Sequence, residues 1–473
     1  MTGLEEEVTK NSILLYDKDE VHNVTSLEDE VKEMCKCHVD HLPAIEGFIL
    51  HYPDGNHLPA TKFLSIKGIV LADEDHVVEP PGDEIIEEER LISLVRKPTK
   101  IDLATVKLSE YKFQDERQSG SPNDQFYSAQ WALGSNAGDI NWPEGRQRYL
   151  SNSQGGSPTG PKVLVAVIDS GVDYNHPDLR EAMWRNPQEI ANNGIDDDNN
   201  GIVDDVYGAN FVTFAGNKRN DPMDIDVNGS GYGHGTHCAG IIAASANNRQ
   251  GIAGVAGISK GKVKIMALRA CGGPRGSCAF SWNMAALNYA ISKGAKISSN
   301  SYGGSGSQGP ARNAAWKRIL DRNPQHLFVS ASGNENARVT ANYSPGANRA
   351  SNHISVASST QSGTKSPFSN YGTPYVHVFA PGSRIASTFP NNRYVYQSGT
   401  SMACPMVSGL AALLMSMRAN LNGTQVKQLI EQNVQSKSQF RGLVTSGGLI
   451  DVDKTIKALI DTPTITTTTT TTT

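Results

Sequence analysis

The stretch VLVAVIDSG, residues 163–171, is six apolar residues followed at once by an aspartate, a serine and a glycine. A valine-rich run that ends in turn residues describes a strand buried on both faces. Five more runs of this kind follow: KIMAL (264–268), AKISSNS (295–301), HLFVSAS (326–332), HISVAS (353–358) and VHVFA (376–380). Helical patterns lie between several of them, GTHCAGIIAASA (235–246), SWNMAALNYAISK (281–293) and ARNAAWKRILDR (311–322). Buried strands alternating with helices predict an α/β fold of three layers, a parallel sheet with helices on both faces. MACPMVSGLAALLMSMRA (402–419) reads as a long buried helix and TQVKQLIEQNVQ (424–435) as a later surface helix.

Residues 1–115 differ in character. SLEDEVKEMCKCHVD (26–40) reads as a short charged helix, and EGFILHYP (46–53) and IKGIVLADEDHVVEP (66–80) as strands. They form a small α+β unit closed by the acidic linker EPPGDEIIEEERL (79–91). RQSGSPNDQ (117–125) is a second flexible stretch and suits a processing site. Three regions follow: 1–115, then 122–460, then a threonine-rich tail, 461–473, that cannot form a core.

The chain has 473 residues, 38% hydrophobic and 19% charged, with a net charge of -5. That balance excludes nucleic acid as an obligate partner, which needs clustered Lys and Arg. No apolar run has the length of a membrane span. The first thirty residues lack the apolar core of a signal peptide. Either the protein is not exported or its natural N-terminus lies upstream. Of the six cysteines, Cys35 and Cys37 are too close to bond each other without strain. CGGPRGSC is a glycine-rich loop able to bring Cys271 and Cys278 into a disulfide. Cys238 and Cys404 sit among small apolar residues, as buried free thiols do.

Open α/β sheets bind ligands at the carboxyl ends of their strands. Asp169 ends the first run, and an acid there needs a hydrogen-bonding partner. In QSGTSMACP (397–405), Ser401 opens the long apolar helix. A serine at that point is ordinarily an N-cap. The same helix end also offers N–H groups and positive partial charge for an oxyanion. GHGTHCAG (233–240) holds His234 and His237. A metal pair would need more ligands, and no H-E-x-x-H motif is present in the block. One imidazole, oriented by Asp169 and facing Ser401, would complete a triad in the order Asp, His, Ser.

With VAVIDSGVDYNHPDL (165–179), GHGTHCAG and GTSMACP (399–405) on the page, the chain resembles the subtilisin family of serine endopeptidases. SSNSYGG (298–304), SASGNEN (330–336) and NDQFYSAQW (123–131) extend the likeness over about residues 122–460. The resemblance implies Asp169, His234 and Ser401 as triad and Asn334 as the oxyanion donor. His237 becomes a structural neighbour. It implies peptide substrates, laid along Gly276 and Ser277 on one side and Ser301, Gly303 and Gly304 on the other. The primary specificity pocket is then walled by Gly303, Ala331 and Gly333, with Glu335 at its rim. No acid lies at its base, so strict cleavage after Lys or Arg is not expected. The N-terminal unit resembles the family's inhibitory propeptide, which makes the chain a self-processing zymogen, a monomer and secreted. The rival is a catalytically inactive subtilase-fold surface or binding protein with the tail as a stalk. The intact set of four residues argues against it, and the G-x-S-x-G elbow of an esterase is absent around Ser401.

Calcium is expected at two places. NGIDDDNNGIVDD (193–205) puts Asp196, Asp198 and Asn200 at alternate positions, then a glycine, then Asp204, like the start of a Ca²⁺ loop without its final glutamate. A second site, with Asp124, Asp178 and Asn248, rests on the resemblance alone.

Overall fold

The computed structural model describes residues 11–16, 24–35, 38–43, 47–51, 66, 69–74, 77–78, 121–212, 219–224, 233–272 and 278–462. Cys37, Gly276, Ser277 and the tail beyond Thr462 lie outside them.

Near the N-terminus, strands β1 (Asn11–Tyr16), β2 (His38–Leu42), β3 (Gly47–His51) and β4 (Ile69–Glu74) form a sheet in the order β2-β3-β1-β4. Helix α1 (Val24–Cys35) covers one face, packing Leu27 and Val31 against Leu14, Phe48 and Leu50. The other face turns toward the rest of the chain. Leu15, Leu42 and Ile49 share an apolar cluster with Phe280, Met284, Trp316 and Ile319. A two-residue strand β5 (Val77–Val78) pairs antiparallel with Cys278–Ala279. β1 and β2 were outside the predicted strands, and the helix expected over 26–40 ends at Cys35, because the alternating residues from His38 pair with β3 instead.

Residues 121–462 build the nine-stranded sheet. All six predicted runs are in it: β6 (Val163–Asp169), β8 (Val263–Arg269), β10 (Ile297–Asn300), β12 (Leu327–Ala331), β14 (His353–Ser359) and β15 (Val378–Pro381). They lie side by side in the order β15-β14-β12-β10-β6-β8, all parallel. Short strands 208–210, 448–449 and 435–436 extend the edges. β6 shows why these runs are apolar throughout. Side chains alternate across a strand, so Val163, Val165 and Val167 enter one core cluster while Ala166 and Ile168 enter another. The first cluster is closed by helices 234–243 and 400–417, the second by helices 280–292 and 309–322. These are the expected three layers.

Helix Thr400–Met417 is apolar on every side because it is buried on every side. Among the described residues it is the one helix long and apolar enough to cross a membrane, and all of it lies inside the fold. Three elements were not foreseen: helix Trp142–Ser151, the hairpin Ile385–Phe389 with Arg393–Gln397, and the final helix Val452–Asp461. Cys271 and Cys278 are disulfide-bonded, while Cys238 and Cys404 are free and buried.

The strand order turns at β6. One crossover leads from it to the edge strand 208–210 and to β8, and the later strands run away on its other side. The crevice of such a sheet lies outside the carboxyl ends at this switch, and Asp169 stands there.

Candidate active site

His234 opens its helix, and its Nδ1 lies 2.7 Å from Asp169 Oδ1. Asp169 is 3% exposed, so its charge is met by protein groups rather than water. The same oxygen accepts the Ser170 N–H at 2.7 Å. The glycines of GHG are sterically required. A side chain on Gly233, at φ +77°, would run into the Phe389 ring. One on Gly235 would strike the Gly171 carbonyl and come within 3.0 Å of Asp169 Cβ. Bare backbone lets the helix end press against the turn after β6.

His237 plays the other part. It is wholly buried, and its Nε2–H points at the carbonyls of Ile385 (3.0 Å) and Val395 (3.2 Å). Burial, with some help from His234, pushes its pKa down to about 3. It is a neutral strut between the helix and the hairpin.

Ser401 occupies the first turn of its helix, where N–H groups lack an acceptor within the helix. Its Oγ lies 3.3 Å from the Ser301 carbonyl, and Ser301 Oγ–H donates to the Ser401 carbonyl at 2.9 Å. Asn334 follows β12. Its Oδ1 accepts the Thr400 N–H at 2.9 Å and the Thr400 hydroxyl at 3.0 Å. The carbonyl end is thereby committed to Thr400. Thr400 in turn accepts the Gly333 N–H at 3.0 Å.

Gly304 pairs with Ser344 and Ser305 with Tyr343. A Cβ on Gly303 would stand 2.9 Å from the Tyr343 hydroxyl, and one on Gly333 2.6 Å from it. Glu335 bonds the Asn370 side-chain amide. Tyr343 and Asn370 carried no motif, so sequence reading passed them by. Ala331 ends β12, fully buried.

Of the acidic groups, Asp124, Asp178 and Asn248 gather. Asp124 accepts the N–H groups of Asn247 (2.8 Å) and Asn248 (3.1 Å), and Asn248 Nδ2 donates to Asp178 at 2.7 Å. Burial, joined by the Asp124 charge, raises Asp178 to a pKa of about 7. The 193–205 loop is divided. Asp196 caps the N–H groups of Asn200 and Gly201, and Asp204 those of Asn193 and Gly194. Asp198 instead joins Glu189 and Asp205, with carboxylate oxygens within 4.8 Å of one another. Lys293 bonds Asp198 there, and Asn200 Nδ2 donates to Asp205 at 2.7 Å.

The profile of the Subtilase family matches residues 160–449. This chain belongs to the subtilase family. It is 32% identical over 360 residues to subtilisin-like protease 1 of Plasmodium falciparum, covering 72% of this chain and 48% of that protein. It therefore spans about half the length of that relative. It is 34% identical over 342 residues to thermitase of Thermoactinomyces vulgaris, covering 71% of this chain and 99% of the relative. A solved protease of Pseudoalteromonas arctica superposes with a TM-score of 0.55 at 25% identity, covering 72% of this subtilase and 99% of that chain.

Proposed function

We propose that this subtilase is a serine endopeptidase made as a self-processing zymogen. The observation that carries the reading is the Asp169–His234 bond of 2.7 Å, set beside a serine at a helix start. Ser401 attacks the peptide carbonyl and His234 Nε2 takes its proton, while Asp169 holds the imidazole in one tautomer through Nδ1. Asn334 and the Ser401 N–H stabilise the oxyanion. His234 returns the proton to the leaving amine, and water then releases the acyl group. Substrate lies along residues 301–304, in a pocket bounded by Gly303, Ala331 and Gly333. A fluorophosphonate should label Ser401 in active preparations; intact peptidase activity with no adduct at Ser401 would sink this reading.

The N-terminal sheet is the inhibitory propeptide in this scheme. Its support is the shared apolar cluster on two helices and the β5 strand laid against Cys278–Ala279. The family frame favours a secreted protein.

Cys238 should make the enzyme sensitive to mercurials. Its Sγ lies 3.5 Å from the Ser401 carbonyl, and within 4.8 Å of ligand atoms of Asp169 and His234. A metal adduct there displaces the imidazole although no thiol takes part in the chemistry. Mercuric chloride is expected to abolish activity in the parent and to spare Cys238→Ala. Equal loss in both proteins would reject the assignment.

Calcium fits the Asp124, Asp178 and Asn248 group, because both carboxylates there are buried and burial drives Asp178 toward protonation. At the Glu189, Asp198 and Asp205 group, the buried Asp198 Oδ1 has no hydrogen-bond partner, but Lys293 already brings positive charge to Asp198. A bound divalent cation would take the oxygens of the first group as ligands and supply the positive charge there. Below a pH of about 7 a proton on Asp178 can substitute for the ion. Chelator should therefore lower Tm more at pH 8 than at pH 5, read by scanning calorimetry on Ser401→Ala. An equal Tm change at both pH values would remove Asp178 from the site.

A further inference from the structure

Asp224 lies beside the dyad and belongs to no motif recognised in the sequence. It is completely buried. Oδ1 accepts the Ser170 hydroxyl at 3.0 Å and the Gly233 N–H at 3.1 Å. Oδ2 accepts the Thr236 N–H at 3.1 Å and the Thr236 hydroxyl at 2.6 Å. Each hydroxyl is itself fixed by a backbone donor: Gly235 N–H reaches Ser170 Oγ at 3.0 Å, and Asp173 N–H reaches Thr236 Oγ1 at 2.9 Å. Both hydroxyl protons must then point to Asp224.

Every partner of Asp224 donates as arranged, and each oxygen has two, one of them a backbone N–H that cannot turn away. Four donors on two oxygens favour the ionised form. Burial pushes the carboxyl pKa up, and the bonds from Thr236, Gly233 and Ser170 oppose it. The helix N-terminus adds favourable partial charge for an anion.

We propose that Asp224 is a positioning residue for the Asp169–His234 pair and a second negative charge behind it. Its four bonds join the turn that carries Asp169 to the helix end that carries His234. Ser170 is the residue after Asp169, and Gly233 and Gly235 flank His234. The clamp thus holds both ends of the 2.7 Å bond in register. Nearby ionisable groups are Asp169, Asp173, His234 and His237, and Asp224 touches the first three through hydrogen-bonded neighbours or shared backbone rather than directly. The proposal rests on the peptidase reading for its kinetic effect but not for its effect on the imidazole.

Asn is a poor replacement for this carboxylate, because its NH₂ end must meet a backbone N–H, of Gly233 or of Thr236, whichever way it turns. Asp224→Asn is expected to lower kcat about 10²-fold, the cost of a small misplacement of reacting groups, with KM little changed. The acidic limb of the pH–kcat profile should move to lower pH as the imidazolium loses a negative neighbour. Ser170→Ala removes one bond and no charge, and should give a smaller loss in kcat. An Asp224→Asn protein that folds with unchanged kcat and an unmoved limb overturns the proposal. If that variant does not fold, unchanged kcat in Ser170→Ala does the same. An NMR titration of the His234 imidazole in the parent and in Asp224→Asn needs no turnover. A moved titration in a protein whose Ser401 resists fluorophosphonate overturns the peptidase reading alone. An unmoved titration with normal labelling overturns the role of Asp224 alone.

Discussion

Replacing Ser401 with alanine is expected to remove peptidase activity by about 10⁶-fold, a magnitude taken from subtilisin itself rather than calculated from these distances. The effect is large because in the proposed mechanism nucleophile, base and orienting carboxylate act as one unit. Once Ser401 is gone, His234 has no hydroxyl proton to take, although Asp169 still holds it. The first turn of the helix should stay intact, since the structural contact of Ser401 that draws most on the fold is its backbone carbonyl, bonded by Ser301 at 2.9 Å. Folding and Tm are therefore expected to survive. Self-processing should stop as well, leaving the N-terminal unit attached on a denaturing gel. Normal processing of purified Ser401→Ala would show that another protease makes the cut, and full peptide hydrolysis would remove Ser401 from the chemistry altogether.

Acid should destabilise the fold steeply, through histidines far from the cut. His326 is buried with Nδ1–H donating to the Ala295 carbonyl at 2.9 Å and Nε2 accepting from Ser298 at 2.9 Å. His353 repeats the pattern, with Asn348 O at 3.0 Å and Ser330 Oγ at 2.8 Å. His377 accepts the Ser355 N–H at 2.8 Å. Burial lowers the pKa of His326 to about 4 and of His353 to about 3, and that of His377 well below 6.5. His237, near 3, makes a fourth. A depressed histidine pKa means that the unfolded chain takes up protons that the native chain refuses. The stabilisation is then complete above pH 6.5 and is lost as pH falls toward 4 and 3. Each such proton is worth about 1.4 kcal/mol per pH unit, so four together approach about 5 kcal/mol per unit at most. Asp178 works in the opposite sense over 3.8 to about 7, because its raised carboxyl favours the native state at lower pH. Calcium saturation should suppress that opposition. Calorimetry of Ser401→Ala with calcium should show Tm falling sharply between pH 6.5 and 4. A flat profile would contradict the buried neutral histidines, and His353→Gln should reduce the slope.

How much of this was legible in the sequence follows from the physics of each part. The six sheet runs were, because a strand buried on both faces is built of apolar and small residues; in Ile297–Asn300 the buried Ser298, Ser299 and Asn300 find hydrogen-bond partners instead. The pairing of Asp169 with His234 was, because one closes a strand and the other opens a helix at the same sheet edge. The hairpin from Ile385 to Gln397 mixes Ser, Thr, Tyr and Arg with its apolar residues, so it lacks the same signature. Helix Trp142–Ser151 carries Pro143 in its first turn, where proline is tolerated, and Gly145, a weak helix former whose cost is met by close packing on Val452 of the final helix. The 193–205 loop marks a different limit. Asp and Asn cap backbone N–H groups as readily as they bind cations, and spacing cannot tell the capping Asp196 from the converging Asp198. Asp224 lies ten residues before His234, and nothing in that interval ties it to Ser170. Only the folded contact does.

The fully buried helix that begins at Thr400 has one more consequence. Local opening events draw on weakly packed segments at the surface, and this helix has no solvent-facing side from which to fray. Its first turn is gripped by Gly333, Asn334 and Ser301. Ser401 therefore has no private route to disorder. It stands or falls with the whole sheet, so if it is the nucleophile as proposed, loss of activity on heating reports on the cooperative unfolding of the molecule rather than on the loosening of one loop.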